Sequence, residues 1–195
     1  MTASTFRPRR SVLYMPGANA RALEKAKTLA ADAVILDLED SVAPEAKADA
    51  RATACTAITA GGYGHREVVL RVNGLDTPWG KQDMAAATAV RPDAILVPKV
   101  SSATDVIHAA ALSGGHPLWV MIETPLAILN LKEIGEAARA ARLTCLVLGT
   151  NDLLKETRMK GSDARAALVP ALSQAVLAAR AFGLDCIDGV YNDFR

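Results

Sequence analysis

The sequence predicts an α/β fold, a (β/α)8 TIM barrel truncated after its seventh strand, and three observations lead there. Short β-branched apolar runs alternate with longer Ala-rich stretches of helical period, the pattern of βα units on a parallel sheet. Ionisable residues fall directly after several of those runs, at the C-terminal strand ends where barrel enzymes assemble their sites. The chain has 195 residues, whereas a full eight-stranded barrel takes about 250.

The elements follow in chain order. A strand over Ser11–Tyr14 runs into Met15-Pro16-Gly17-Ala18-Asn19 and then a helix over Ala20–Leu29. Ala33–Asp37 is the second strand, and Pro44 opens the helix Pro44–Ile58 at a first turn that tolerates a missing N–H. Glu67–Val72 precedes a helix over Lys81–Ala89, and Ala94–Val97 one over Ala103–Ser113. Leu118–Ile122 leads through Pro125 to a helix over Ala127–Ala140. Cys145–Leu148, a long helix over Ala164–Phe182 and a seventh strand over Cys186–Val190 complete the pattern. Each strand is nearly all apolar, as expected when both faces are covered. With no linker or change of composition, residues 1–195 read as one barrel domain lacking an eighth βα unit.

Composition excludes several classes. At 51% hydrophobic residues the chain has ample core, which removes disorder and a disulfide scaffold. A formal charge of +1 gives no footprint for nucleic acid or an anionic membrane, and neither partner is expected. Cys55, Cys145 and Cys186 are odd in number and lack zinc spacing, so reduced thiols in a cytoplasmic protein are expected. Arg7, Arg9 and Arg10 near the start are not followed by a secretory apolar region, and no membrane-spanning run occurs. The loop after the first strand is neither a GxGxxG nor a Walker loop, which weakens the competing open nucleotide-binding sheet. His65, His108 and His116 are placed in turns or within a helix, far from the C-terminal strand ends, and support neither a zinc protease nor a Ser/His/Asp triad.

What remains is a set of charges at strand ends. Glu123 follows Trp119-Val120-Met121-Ile122, and Asp152 follows Cys145-Leu146-Val147-Leu148 and a short turn, so a barrel projects both into one mouth. Two carboxylates there suit Mg2+, with water and substrate oxygens completing the octahedron. The alternative is a helix cap at Asp152 and a solvated loop charge at Glu123. Arg71 closes the run Val68-Val69-Leu70 and suits bidentate binding of a substrate carboxylate, or an ion pair with Asp37 or Glu39. Lys99 in Val97-Pro98-Lys99 is either a Schiff-base lysine or a counter-charge to neighbouring carboxylates. In Asp37-Leu38-Glu39-Asp40-Ser41, Asp37 and Glu39 need a cation or a base beside them, while Asp40 or Ser41 suits a cap for the helix at Pro44.

Six fragments make the pattern specific: Arg10 to Gly17, Asp32 to Pro44, Leu70-Arg71-Val72-Asn73, Val97-Pro98-Lys99-Val100, Ile122-Glu123-Thr124 and Ile187-Asp188-Gly189-Val190-Tyr191. In this order they resemble the citrate lyase beta subunit and malyl-CoA lyase family, the HpcH/HpaI aldolase-like CoA-ester lyases, from about Arg9 to the last residue. The resemblance implies a Mg2+-dependent carbon–carbon lyase that converts a 3-hydroxy-acyl-CoA thioester of citryl or malyl type into an acyl-CoA and a 2-oxo acid. It implies Glu123 and Asp152 as metal ligands and Arg71 as the arginine that holds the oxo-acid carboxylate. Lys99 is a further substrate-binding candidate, and Asp37 or Glu39 the acid or base acting through water. A homo-oligomer, trimer or hexamer, is implied, or assembly beside other lyase subunits. Two departures stand out: Asn151 where many relatives carry an acid before Asp-Leu, and the lack of the eighth strand and C-terminal helices. The competing functions are an aldolase acting on free 2-oxo acids and a non-catalytic truncated barrel.

Overall fold

A computed structural model describes residues 7–159 and 164–192. Its frame is a seven-stranded, all-parallel sheet in sequence order: β1 Val12–Pro16, β2 Ala33–Asp37, β3 Glu67–Arg71, β4 Ala94–Val97, β5 Leu118–Ile122, β6 Leu143–Leu148 and β7 Asp185–Ile187. The helices are α1 Ala20–Ala26, α2 Lys47–Ala60 with a 3-10 turn over Pro44–Ala46 before it, α3 Gly80–Val90 and α4 Ala103–Leu112. They continue with α5 Pro125–Leu129, α6 Leu131–Ala141, α7 Thr150–Glu156 and α8 Ala164–Phe182.

Two apolar layers explain the shape. Leu36, Leu70, Ile95, Val120 and Leu146 project from one face of the sheet into a core shared with the helices. On α6 this core takes Leu131, Ile134, Gly135, Ala138 and Ala141, an i, i+3, i+4, i+7 stripe. The residues between them face the other way and form a second cluster: Ala33 and Ile35, Val69, Ala94 and Leu96, Trp119 and Met121, Cys145 and Val147. Val12 and Tyr14 of β1 and Ile187 of β7 pack on the same cluster, so all seven strands share one inner layer and the sheet is curled. No ladder joins β7 to β1 among the described residues.

The predicted βα order is present, with corrections at the joints. The helix expected over Ala127–Ala140 is two helices, because Asn130 leaves the helical region (φ −101°, ψ 12°) and its amide donates to the Ser101 carbonyl at 2.9 Å. The first helix stops at Ala26 rather than Leu29, where the Arg66 guanidinium takes the Leu29 carbonyl. The last strand ends at Ile187, since Asp188 turns out of the ladder to pair with Arg165. Neither Asp40 nor Ser41 caps the turn at Pro44: its cap position is Ala43, and the Ser41 N–H instead donates to Asp37 Oδ2 at 3.0 Å. Asp152 is not a cap either; it lies in the first turn of α7, which begins at Thr150.

Candidate active site

The alternation that fills the inner layer also builds the site. Continuing the inward rows one step past the apolar layer gives Asp37 on β2, Arg71 on β3 and Glu123 after β5, all at the C-terminal end of the sheet. Arg71 and Asp37 are 5% and 2% exposed, so neither charge survives without the other. They form a fork: Nε donates to Oδ1 at 2.6 Å and Nη2 to Oδ2 at 2.8 Å. Asp37 also accepts the Glu39 N–H at 2.8 Å. Burial pushes the Asp37 carboxyl up, but Arg71 and these N–H groups outweigh it and hold the pKa below the ordinary value. Arg71 lies 5.0 Å over the Tyr14 ring, and burial raises the Tyr14 phenol pKa.

The third guanidinium nitrogen, Nη1, points at acids that hold it less completely. Glu39 Oε2 lies 2.7 Å from it as an ion pair but without hydrogen-bond geometry, which leaves a buried carboxylate oxygen with no hydrogen bond. Asp40 Oδ2 is 3.4 Å away and largely exposed. Burial, opposed by Arg71 and reinforced by the charges of Asp40, Glu123 and Asp37, pushes Glu39 up to about 7.

Glu123 is 1% exposed, and its Oε1 accepts the Lys99 N–H at 2.7 Å. That N–H is aimed by a left-handed backbone at Lys99 (φ 57°), a conformation unusual for a residue with a side chain. The Lys99 ammonium hydrogen-bonds Asp152 Oδ2 and lies 3.7 Å from Glu123 Oε1, so both carboxylates face one cation. Burial raises Glu123 against the lowering by Lys99; burial lowers Lys99, but the Asp152 bond and the Glu123 charge carry its pKa above the ordinary value. Gly149 is needed beside them, since a Cβ there would sit 2.4 Å from Glu123 Cβ.

Arg71, Asp37, Glu123 and Asp152 line one cavity of about 340 Å³, with Tyr14, Met121, Asn151 and Asp188 around them. Lys99, bonded to Asp152 of that lining, itself lines a separate recess with Asp76, Asp105 and His108. His108 is therefore close to the end of β4, contrary to its expected distance from the strand ends. The amino-terminal arginines face away from the cavity: Arg9 forks onto Glu67 and reaches Asp185 at the opposite strand ends, and Arg10 pairs with Asp32.

Of the residues that hold the acidic loop after β2, sequence reasoning named Asn73 within a strand-end motif and missed Lys47, Asp83 and Arg51. The Lys47 ammonium, buried over the Trp79 ring, donates to the carbonyls of Leu38 at 2.8 Å and Glu39 at 2.6 Å. Asn73 donates to Leu38 at 3.0 Å and to Asp83, a fully buried acid that also pairs with Arg51 at 2.6 Å. The only trace of the missed residues in the sequence is a polar residue at an apolar helical position, which Asp83 shows beside Met84 and Ala87 on the buried face of α3.

The donor chemistry fits Mg2+. Among the described residues no group of three or more His, Cys, Asp or Glu side chains is arranged as a metal cage. Two carboxylates converging on one ammonium fit a hard cation that keeps water or substrate oxygens in its other positions.

Residues 10–195 match the family described as HpcH/HpaI aldolase/citrate lyase. The chain belongs to the HpcH/HpaI aldolase/citrate lyase family. It is 51% identical over 188 residues to a (3S)-malyl-CoA thioesterase of Cereibacter sphaeroides, a match that covers 96% of this chain and 65% of the relative. To the citrate lyase subunit beta of Escherichia coli it is 34% identical over 198 residues, covering 96% of this chain and 65% of that one. The chain thus spans under two thirds of the length of either relative. Among solved structures of the family, the citrate lyase beta subunit of Mycobacterium tuberculosis complexed with oxaloacetate and magnesium aligns with a TM-score of 0.81 at 27% identity, over 96% of this chain and 81% of that one.

Proposed function

We propose that this chain carries the site of a Mg2+-dependent enzyme acting on a 3-hydroxy-acyl-CoA thioester of malyl or citryl type, with carbon–carbon cleavage to an acyl-CoA and a 2-oxo acid as its reaction. The observation that carries this reading is the convergence of Glu123 and Asp152 on one cation position in the cavity that also holds the buried Arg71. The relative bound to oxaloacetate and magnesium supports the choice of ion and of an oxo-acid product. Completion of a (β/α)8 barrel and assembly into a homo-oligomer, or with other lyase subunits, belong to the same proposal.

Glu123 and Asp152 would hold the ion, which supplies Lewis-acid stabilisation of negative charge developing on a substrate oxygen. The rest is done by the chain. Asp37 fixes Nε and Nη2 of Arg71, so the guanidinium meets a substrate carboxylate through Nη1, where the contacts to Glu39 and Asp40 are replaceable. Asp37, held below its ordinary pKa, is a poor base and acts by orienting Arg71. The proton role falls to Glu39, whose Oε2 lies buried without a hydrogen bond and whose carboxyl exchanges a proton near pH 7. Lys99, bound to two carboxylates, keeps its charge, which argues against a Schiff base.

A second reading has its own support: the same site holding a malyl thioester for hydrolysis rather than cleavage, as the name of the 51% identical relative suggests. The two separate by product. With malyl-CoA and Mg2+, cleavage gives acetyl-CoA and glyoxylate, whereas hydrolysis gives malate and free CoA. Turnover of free 2-oxo acids and aldehydes without CoA, or no turnover of any thioester, contradicts both.

A further inference from the structure

We propose that Lys99 is a built-in competitor for the metal position: its ammonium occupies the place between Glu123 and Asp152, and Mg2+ must displace it to bind. The inference rests on the metal reading above and extends it to a residue that sets the Mg2+ concentration at which the site fills.

Three observations carry it. The ammonium hydrogen-bonds Asp152 Oδ2 and lies 3.7 Å from Glu123 Oε1, so it neutralises the same two carboxylates that the ion would need. Two cations cannot share that position, because the repulsion between them adds to the loss of the ammonium's own contacts. The lysine also has somewhere to go. Its side chain is 39% exposed, and the residue lines a recess of about 260 Å³ that also holds the acids Asp76 and Asp105, the latter already accepting the Ser101 N–H at 2.9 Å. Finally, the backbone separates two roles that the side chain would otherwise confuse. The main-chain N–H of Lys99, set by its left-handed φ, holds Glu123 Oε1 at 2.7 Å through a bond that uses no atom of the side chain. Position 99 therefore builds the ligand through its backbone and competes for it through its ammonium.

The test is Mg2+ titration by calorimetry into the full chain and into Lys99→Met and Lys99→Gln, with melting temperature read with and without Mg2+. Both variants should bind Mg2+ about tenfold more tightly than the parent, since a competing cation is gone and the backbone bond to Glu123 remains. They should also melt lower than the parent without Mg2+ and regain the difference when it is saturating. A role confined to positioning Glu123 would leave the affinity unchanged. Unchanged or weaker Mg2+ binding in both variants, with parent binding lost in Glu123→Gln, overturns the competition and leaves the metal site standing. If Glu123→Gln and Asp152→Asn bind Mg2+ as the parent does, or if neither parent nor variants bind it, the metal reading fails and the competition with it.

Discussion

Glu39 has the cation beside it that its sequence context calls for, but the pairing is incomplete. Its carboxyl is buried beside Arg71, one oxygen lacks a hydrogen bond, and its pKa stands at about 7 against an ordinary 4.5. Between those values the folded protein holds a proton that the unfolded chain releases. The stability this gives is therefore present below pH 4.5 and lost as pH rises through 7. The metal-free chain should accordingly lose melting temperature between about pH 5 and 7, and Glu39→Gln should flatten that part of the profile. An equally steep profile in the variant would move the titration to another group. The candidate residues Arg71, Glu123 and Asp152 were legible in the sequence because each follows an apolar run at a strand end. The fork between Arg71 and Asp37 was one of two open readings, since residues 34 positions apart meet only when β2 and β3 pair in register, Asp37 opposite Arg71.

At the level of the elements, strands were easier to read than the joints between them. A strand covered on both faces must be apolar throughout, so β2, β4 and β5 fall where their composition puts them. The division between α5 and α6 depends on the Asn130 side chain finding the Ser101 carbonyl, and the early end of α1 on Arg66 reaching Leu29; neither partner is near in sequence. The loop between β6 and α7 matters most for the site. Gly149 passes so close to Glu123 that an added Cβ would lie 2.6 Å from Oε2, and Asp152 follows three residues later in the first turn of α7. Gly149→Ala should therefore weaken Mg2+ binding roughly tenfold by shifting Glu123, with secondary structure retained. Circular dichroism beside calorimetric titration checks it, and an unchanged dissociation constant would show that the loop yields without moving the carboxylate.

Over the whole molecule, the curled sheet puts two functions at opposite ends of one inner layer. Arg9, Glu67 and Asp185 close the amino-terminal end over Trp119, while Arg71, Asp37 and Glu123 open the other end to the cavity. The edges of the sheet, β1 and β7, have no strand partner beyond β2 and β6 among the described residues, and Val190 nearby is exposed. Unpaired edges of this kind favour association. In light scattering the 195-residue chain should self-associate, and joining to it the part of the longer relatives that it does not span should raise its melting temperature and reduce association. A monomer of equal stability would mean that the edges are protected in another way. The central claim, that Glu123 and Asp152 form one cation site, is tested most directly by titrating Mg2+ into the parent and into Glu123→Gln and Asp152→Asn. Loss of an anionic ligand should weaken binding by about tenfold or more in each variant while the fold persists, whereas Mg2+ affinity unchanged in both would contradict the site.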